Sequence, residues 1–148
     1  MTNIVAASID EQRIREVVDT YEQARNRHDV DAMISLFSED IEWVNVAGMW
    51  WRGSSEVRRG YEWIHQTMLK NVPIYIDSCS VRLLTGEAAL SIVTWKKGGF
   101  VAPDGKQMPE GKDRMSLYLL KAENRWLIKM GHNTTINIEV QHLDPNRT

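Results

Sequence analysis

Three of the chain's six tryptophans crowd into the stretch Trp43-Val44-Asn45-Val46-Ala47-Gly48-Met49-Trp50-Trp51-Arg52-Gly53, around a single asparagine. If this segment is extended, Trp43 and Asn45 share a face, so an aromatic plate and an amide look into the same space. Large rings with one placed polar group are what small-molecule pockets are built from. The same residues would serve equally as core tryptophans beside a turn amide. His65 could act as a general base near neutral pH, or be a partly buried histidine bonded to backbone. Lys97, on the same strand face as Trp95, could hold an anionic or carbonyl-bearing ligand. It could also be an ordinary solvated lysine, since Gly98-Gly99 follows at once. Arg114 can pair with Asp113 or Glu110 as well as with a ligand. His132 and Asn133 are neighbours on a strand and face opposite ways, so at most one of them sees a pocket.

Composition removes several other chemistries. The chain has 148 residues, enough for one domain with a sizeable core. Eighteen basic and 20 acidic residues give a net charge of -2, and the basic residues are scattered, so nucleic acid is not an expected partner. Cys79 stands alone, which excludes an intramolecular disulfide and a thiolate zinc site, and it reads as a small core residue. The four histidines lack ligand spacing and no acidic cluster forms an oxygen cage, so no metal is expected. No Gly-x-Gly-x-x-Gly follows a strand, and no cofactor is expected. Residues 1–8 carry neither the charge nor the apolar run of a leader, and no segment approaches a membrane span. The expectation is a cytoplasmic protein with no membrane partner.

The elements that must position these residues follow from periodicity. Ser8-Ile9-Asp10-Glu11 has capping-box spacing, and Ile14, Val17, Val18, Tyr21 and Ala24 follow at helical intervals, predicting a helix from about Ile9 to His28. Asp29 can cap a second, shorter helix with Val30, Met33, Ile34 and Phe37 on its buried side. A short strand over Ile41 to Val46 comes next. Gly53-Ser54 then starts a third helix with the apolar line Val57, Tyr61, Ile64 and Met68, leaving Gly60 and His65 at its margin. From Val72 the period becomes alternating, and a change of phase predicts a bulge near Ser78. Ala88 to Lys97 forms another strand, and Phe100 to Gly111 a loop turning at Pro103-Asp104-Gly105. Strands over Arg114 to Lys121 and Arg125 to Ile138 are joined by a turn at Glu123-Asn124. Helices grouped before an antiparallel meander indicate an α+β layer fold, in which a strongly bent, mostly antiparallel sheet would leave a cone-shaped hollow under three N-terminal helices.

The run Tyr21, Asn26, Asp29-Val30-Asp31, Leu36-Phe37-Ser38-Glu39-Asp40, Trp43-Val44-Asn45, Gly48 and Gly53, with Arg125-Trp126 and His132-Asn133-Thr134 near the end, resembles the nuclear-transport-factor-two-like (SnoaL-like) superfamily. The Trp-Val-Asn-Val and Trp-Trp-Arg-Gly pieces are most similar to its SgcJ/EcaC group. The resemblance implies a single cone-shaped domain over residues 1–148, with its core at about 9–138 and a polar tail at 139–148. It says little about function, because this fold serves enzymes, binding proteins and assembly domains.

Two enzymes of the superfamily allow a comparison by residue. Val17-Val18-Asp19-Thr20-Tyr21 looks like the pattern of the ketosteroid isomerases, whose tyrosine donates to a developing oxyanion. Their proton-shuttling aspartate falls at Asn45 here, and an amide cannot accept and return a proton. Trp43-Val44-Asn45 also looks like the aromatic-x-Asn pair of limonene epoxide hydrolase, whose arginine and aspartate on the next long strand fall at Trp95 and Lys97. By resemblance, then, no carboxylate pair is available for acid and base roles. By analogy with the assembly domains of calmodulin-dependent kinases, Asn133 faces the pocket and His132 a partner.

These readings lead to an unidentified small-molecule ligand, apolar or aromatic, held by Trp43, Trp51, Tyr61, Trp95, Lys97, Arg114 and Asn133. Tyr21, Asn45 and His65 are the catalytic candidates if the protein is an isomerase, cyclase or hydrolase. The alternatives are a non-catalytic binding protein and an assembly domain. A homodimer through the outer sheet face is expected, since Ala88 to Trp95 is apolar on both faces.

Overall fold

In a computed structural model, which describes residues 2–147, the chain begins with α1 (Thr2–Asn26), α2 (Val30–Ile34), β1 (Phe37–Val44), β2 (Trp50–Arg52) and α3 (Ser54–Gln66). Met1 and Thr148, the two ends of the expected domain, lie outside the described residues. Helix α1 starts well before Ile9, because nothing from Thr2 to Ser8 breaks a helix, and the capping-box residues lie within it. Its buried line runs through Asp10, Ile14, Val18, Tyr21 and Arg25, a helical spacing that is apolar in the middle and polar at both ends. His28 leaves the helix in a left-handed conformation (φ 58), and Asp29 caps α2, its Oδ1 accepting from the Ala32 N–H at 3.0 Å. The Asn26 side chain donates to the Ile74 carbonyl at 2.8 Å and accepts from the Ile74 N–H at 2.9 Å, tying the end of α1 to the sheet.

The remaining strands are β3 (Ile74–Leu83), β4 (Ala88–Lys97), β5 (Phe100–Val101), β6 (Gln107–Met108), β7 (Gly111–Ala122) and β8 (Arg125–Thr135). Six strands form one sheet in the order β2-β1-β8-β7-β4-β3, antiparallel except where β1 runs parallel to β8. The register slips between Ile76 and Ser78 where the phase change predicts a bulge, and again between Tyr118 and Leu119. Each slip sharpens the local twist and helps to bend the sheet around the helices. Glu123 and Asn124 both adopt positive φ, as a tight hairpin turn demands. Several boundaries differ from expectation: the first helix ends at Asn26, the first strand runs from Phe37 to Val44 and so takes Phe37 out of the second helix, β7 spans Gly111–Ala122, and the last strand ends at Thr135, before a short 3-10 helix over Ile138–Leu143. The segment expected as a plain loop also folds, with β5 and β6 pairing as a hairpin around Pro103-Asp104-Gly105.

The result is an α+β cone. At its closed end, Asp10 of α1 accepts from the Trp126 indole N–H at 2.9 Å and pairs with Lys121 at 3.1 Å, pinning the helix to β7 and β8. Burial alone would raise the Asp10 carboxyl, but Trp126 and Lys121 outweigh it and hold the group below the usual range. Toward the open end, two glycines seat two tryptophans. A methyl group on Gly131 would lie 2.2 Å from the Trp43 ring, and one on Gly60 would lie 2.5 Å from the Trp51 ring. Only hydrogen at these positions lets the indoles lie so close to backbone.

Candidate functional site

Between α1, α3 and the concave sheet face lies a cavity of about 320 Å³. Its walls are aromatic. The Tyr21 ring lies 6.1 Å from Trp43 and 5.6 Å from Trp95, and Tyr61 lies 5.8 Å from Trp43 and 5.9 Å from Trp51, centre to centre. Phe100, Ala102 and Met108 of the small hairpin border it, with Val46, Ala47 and Met49 of the loop before β2. A space of this size and character suits a ring system rather than a sugar or phosphate.

Polar groups converge on it from three directions. The Tyr21 and Tyr61 hydroxyls are hydrogen-bonded at 2.8 Å, joining α1 to α3 inside the apolar wall. Burial raises both phenols above their ordinary value, Tyr61 most strongly, so both are neutral donors at physiological pH. On the sheet, Asp113 accepts from Lys97 Nζ at 2.9 Å and from Asn133 Nδ2 at 3.4 Å through Oδ2, and from Thr135 Oγ1 at 3.1 Å through Oδ1. Asp113 is 4% exposed, and the Asn133 Oδ1 is buried with no partner. From α1, Arg25 reaches the cavity 4% exposed and donates to the Val72 carbonyl.

Tyr21, Asn45, Trp43, Trp51, Tyr61, Trp95, Lys97 and Asn133 all border the cavity, and His132 is exposed on the opposite sheet face. Two other candidates do not border it. Arg114 follows Asp113 on β7 and therefore projects from the outer face, where its Nε donates to Thr94 Oγ1 at 3.3 Å. His65 is buried behind Tyr61, its Nδ1 2.7 Å from the Nδ1 of His28. Burial, then the charges of Arg25 and His28, push His65 down to about 4, so it is neutral at physiological pH. Asn45 sits at the rim with its Oδ1 already engaged, accepting from the N–H groups of Ala47 and Met49 at 3.0 Å each. Its carbonyl holds a turn, and only its amide N–H groups remain for a ligand.

Asp113 and Arg25 are the site residues that sequence reasoning passed over, and Asp113 brings to the cavity one carboxylate that the resemblance did not point to. The signal for Asp113 was parity, since it is in phase with Met115, Leu117 and Leu119, all of them buried. Its setting in Lys112-Asp113-Arg114, among charges at a strand end, conceals that phase. Arg25 follows Tyr21 by four residues and so shares its face of α1. Among the described residues, no group of three histidine, cysteine or acidic side chains is placed to hold a metal, and no helix is long and apolar enough to cross a membrane.

Residues 14–136 match the model of the SnoaL-like domain. The chain belongs to that family. A crystal structure of an uncharacterised protein with a cystatin-like fold from Caulobacter vibrioides is 30% identical, with a TM-score of 0.88 over 91% of this chain and 95% of that one. A ketosteroid isomerase-like protein from Erwinia carotovora atroseptica is similar in fold at 17% identity, with a TM-score of 0.73 over 86% of this chain and 97% of that one. So is a type 2 hexachlorocyclohexane dehydrochlorinase (LinA), at 9% identity and a TM-score of 0.79 over 88% of each chain. Comparison with curated proteins gives no match.

Proposed function

We propose that this SnoaL-like protein binds a small apolar or aromatic metabolite inside the cone, its ring system against Trp43, Trp95 and Tyr21 and its polar end among the Tyr21, Asn133 and Lys97 side chains. The observation that carries this reading is an aromatic cavity of about 320 Å³ into which buried polar groups converge. Saturable quenching of tryptophan fluorescence by one-, two- or three-ring phenols tests it. The expected result is quenching that Ala102→Phe, which narrows the mouth, weakens by about tenfold or more. Linear, non-saturating quenching by every phenol overturns it.

A second reading, an enzyme of the isomerase, cyclase or hydrolase type, draws support from Asp113. It is a buried carboxylate close enough to Tyr21 to act on that phenol's ionisation. In this reading Tyr21 donates to a substrate carbonyl and Asp113 takes the proton role expected of His65. Product formation that Tyr21→Phe and Asp113→Asn each reduce, with ligand affinity kept, is the result that would select it. Affiliation with the SgcJ/EcaC group and a cytoplasmic location belong to the same proposal. So does a homodimer, supported by Leu90, Ile92 and Met130, which are exposed on the outer sheet face beside half-buried Tyr118. A monomer by equilibrium sedimentation at micromolar concentration would count against the dimer.

A further inference from the structure

The charges inside the cone do not balance. Lys97 and Asp113 form a pair at 2.9 Å, with side chains 13% and 6% exposed, and so cancel each other. Tyr21 and Tyr61 are neutral and so is His65, for the reasons given above. Arg25 is left over. Among the described residues no carboxylate lies within ion-pair distance of it, and its one side-chain hydrogen bond goes to the Val72 carbonyl.

A guanidinium offers five N–H donors and keeps its proton under all physiological conditions. Burying one with a single acceptor and no counter-ion costs several kcal/mol, which is why arginines at this depth are normally paired. Burial lowers the Arg25 proton affinity, and the opposing pull of Tyr21, Tyr61 and Asp113 does not make up for it. Asp113 cannot leave its place to serve Arg25, because Lys97, Asn133 and Thr135 all hold it.

We infer that the cavity's ligand is an organic anion, an aromatic carboxylate or an equivalently acidic ring compound, whose negative group pairs with Arg25 and supplies the charge the protein lacks. The inference rests on the reading that the cavity binds a small molecule, and it adds the sign of the ligand's charge. Arg25 acts electrostatically on both the Tyr21 and Tyr61 hydroxyls, which line the same cavity, so a carboxylate held at Arg25 has phenol donors within the same space. The Lys97–Asp113 pair, being already neutral, is left to receive an uncharged polar substituent elsewhere on the ring system. The unpartnered Asn133 Oδ1 next to it asks for a donor there, such as a hydroxyl.

Matched probes separate this inference from the binding reading. Benzoate, 2-naphthoate and anthracene-2-carboxylate are titrated calorimetrically beside their three carboxamides, which keep shape and lose charge. The expected result is that at least one carboxylate binds about tenfold or more tighter than its amide, since a buried guanidinium gains more from a full negative charge than from a neutral carbonyl. Arg25→Met should remove the preference by weakening the carboxylate far more than its amide, while Arg25→Lys should restore part of it. Arg25→Met should also leave the melting temperature of the unliganded protein unchanged or raised, because it deletes an unpaired buried charge. Carboxylate and amide binding equally overturns the inference and leaves the binding reading standing. No binding by any of the six probes overturns both. If Arg25→Met does not fold, the wild-type comparison and Arg25→Lys still decide.

Discussion

The two ends of the cone carry the same ion pair in different company. At the closed end Asp10 meets Lys121 and the Trp126 indole, and every partner is packed against the next. At the open end Asp113 meets Lys97, Asn133 and Thr135, but the aromatic walls stand apart and an unpaired guanidinium and an unpaired amide oxygen face the space between them. An aspartate–lysine pair is thus a clamp where side chains fill the volume around it, and part of a recognition surface where they do not. The difference lies in what surrounds the pair, and each prediction below tries that distinction at a different point.

The largest effect is expected from Asp10→Ala. It strands Lys121 and the Trp126 N–H together and should cost about 4 kcal/mol of unfolding free energy in urea. Asp113→Ala strands Lys97, Asn133 and Thr135, with Lys97 13% exposed against 24% for Lys121, so it should cost a comparable amount and in addition weaken ligand affinity, which Asp10→Ala leaves unchanged. Ligand affinity that is unchanged in Asp113→Ala, or lost equally in Asp10→Ala, would break the comparison.

Next comes the wall between them. The unfolded chain takes up the His65 proton at its ordinary value near 6.5, whereas the folded chain does so only at about 4. Between those values the unfolded state binds more protons, so stability falls as pH drops through the window, by about 3 kcal/mol in all. Urea melts from pH 7 to pH 4 should show this slope, and His65→Gln should flatten it. A slope that persists in the variant would move the effect to other groups.

The smallest effect concerns the mouth. Gly60→Ala pushes on the Trp51 ring, which is only partly buried and can swing away, so the expected cost is about 1–2 kcal/mol with altered ligand affinity. An unchanged affinity would show that Trp51 plays no part in the rim.

Much of this architecture was legible because it rests on local rules. The Asp29 cap, the apolar line of α3, the bulge before Ser78 and the turn at Glu123-Asn124 are each decided by residues within a few positions of one another. The site was legible only where residues of obvious character, such as Trp43, Tyr21 and Trp95, shared the phase of a strand or helix. Asp113 and Arg25 share those phases too, but a charged residue near the end of an element reads as solvated unless the far wall is known. The turn role of Asn45 and the seclusion of His65 behind Tyr61 are settled by partners that no spacing rule reveals, His28 above all. The β5–β6 hairpin was hidden because its strands are too short for any period to show.

Trp43 resting on Gly131 has a consequence for how the molecule is made. The two residues meet across the β1–β8 pairing, which joins the chain's first strand to its last. While the chain emerges from the ribosome, β1 has only β2 and the neighbouring helices for company, and the back wall of the hollow does not exist until Arg125 and its successors have been synthesised. Pairings this distant in sequence form slowly. The surface destined to hold a ligand therefore spends most of synthesis as bare tryptophan, and the place where the finished protein is most selective is where the unfinished one is most adhesive.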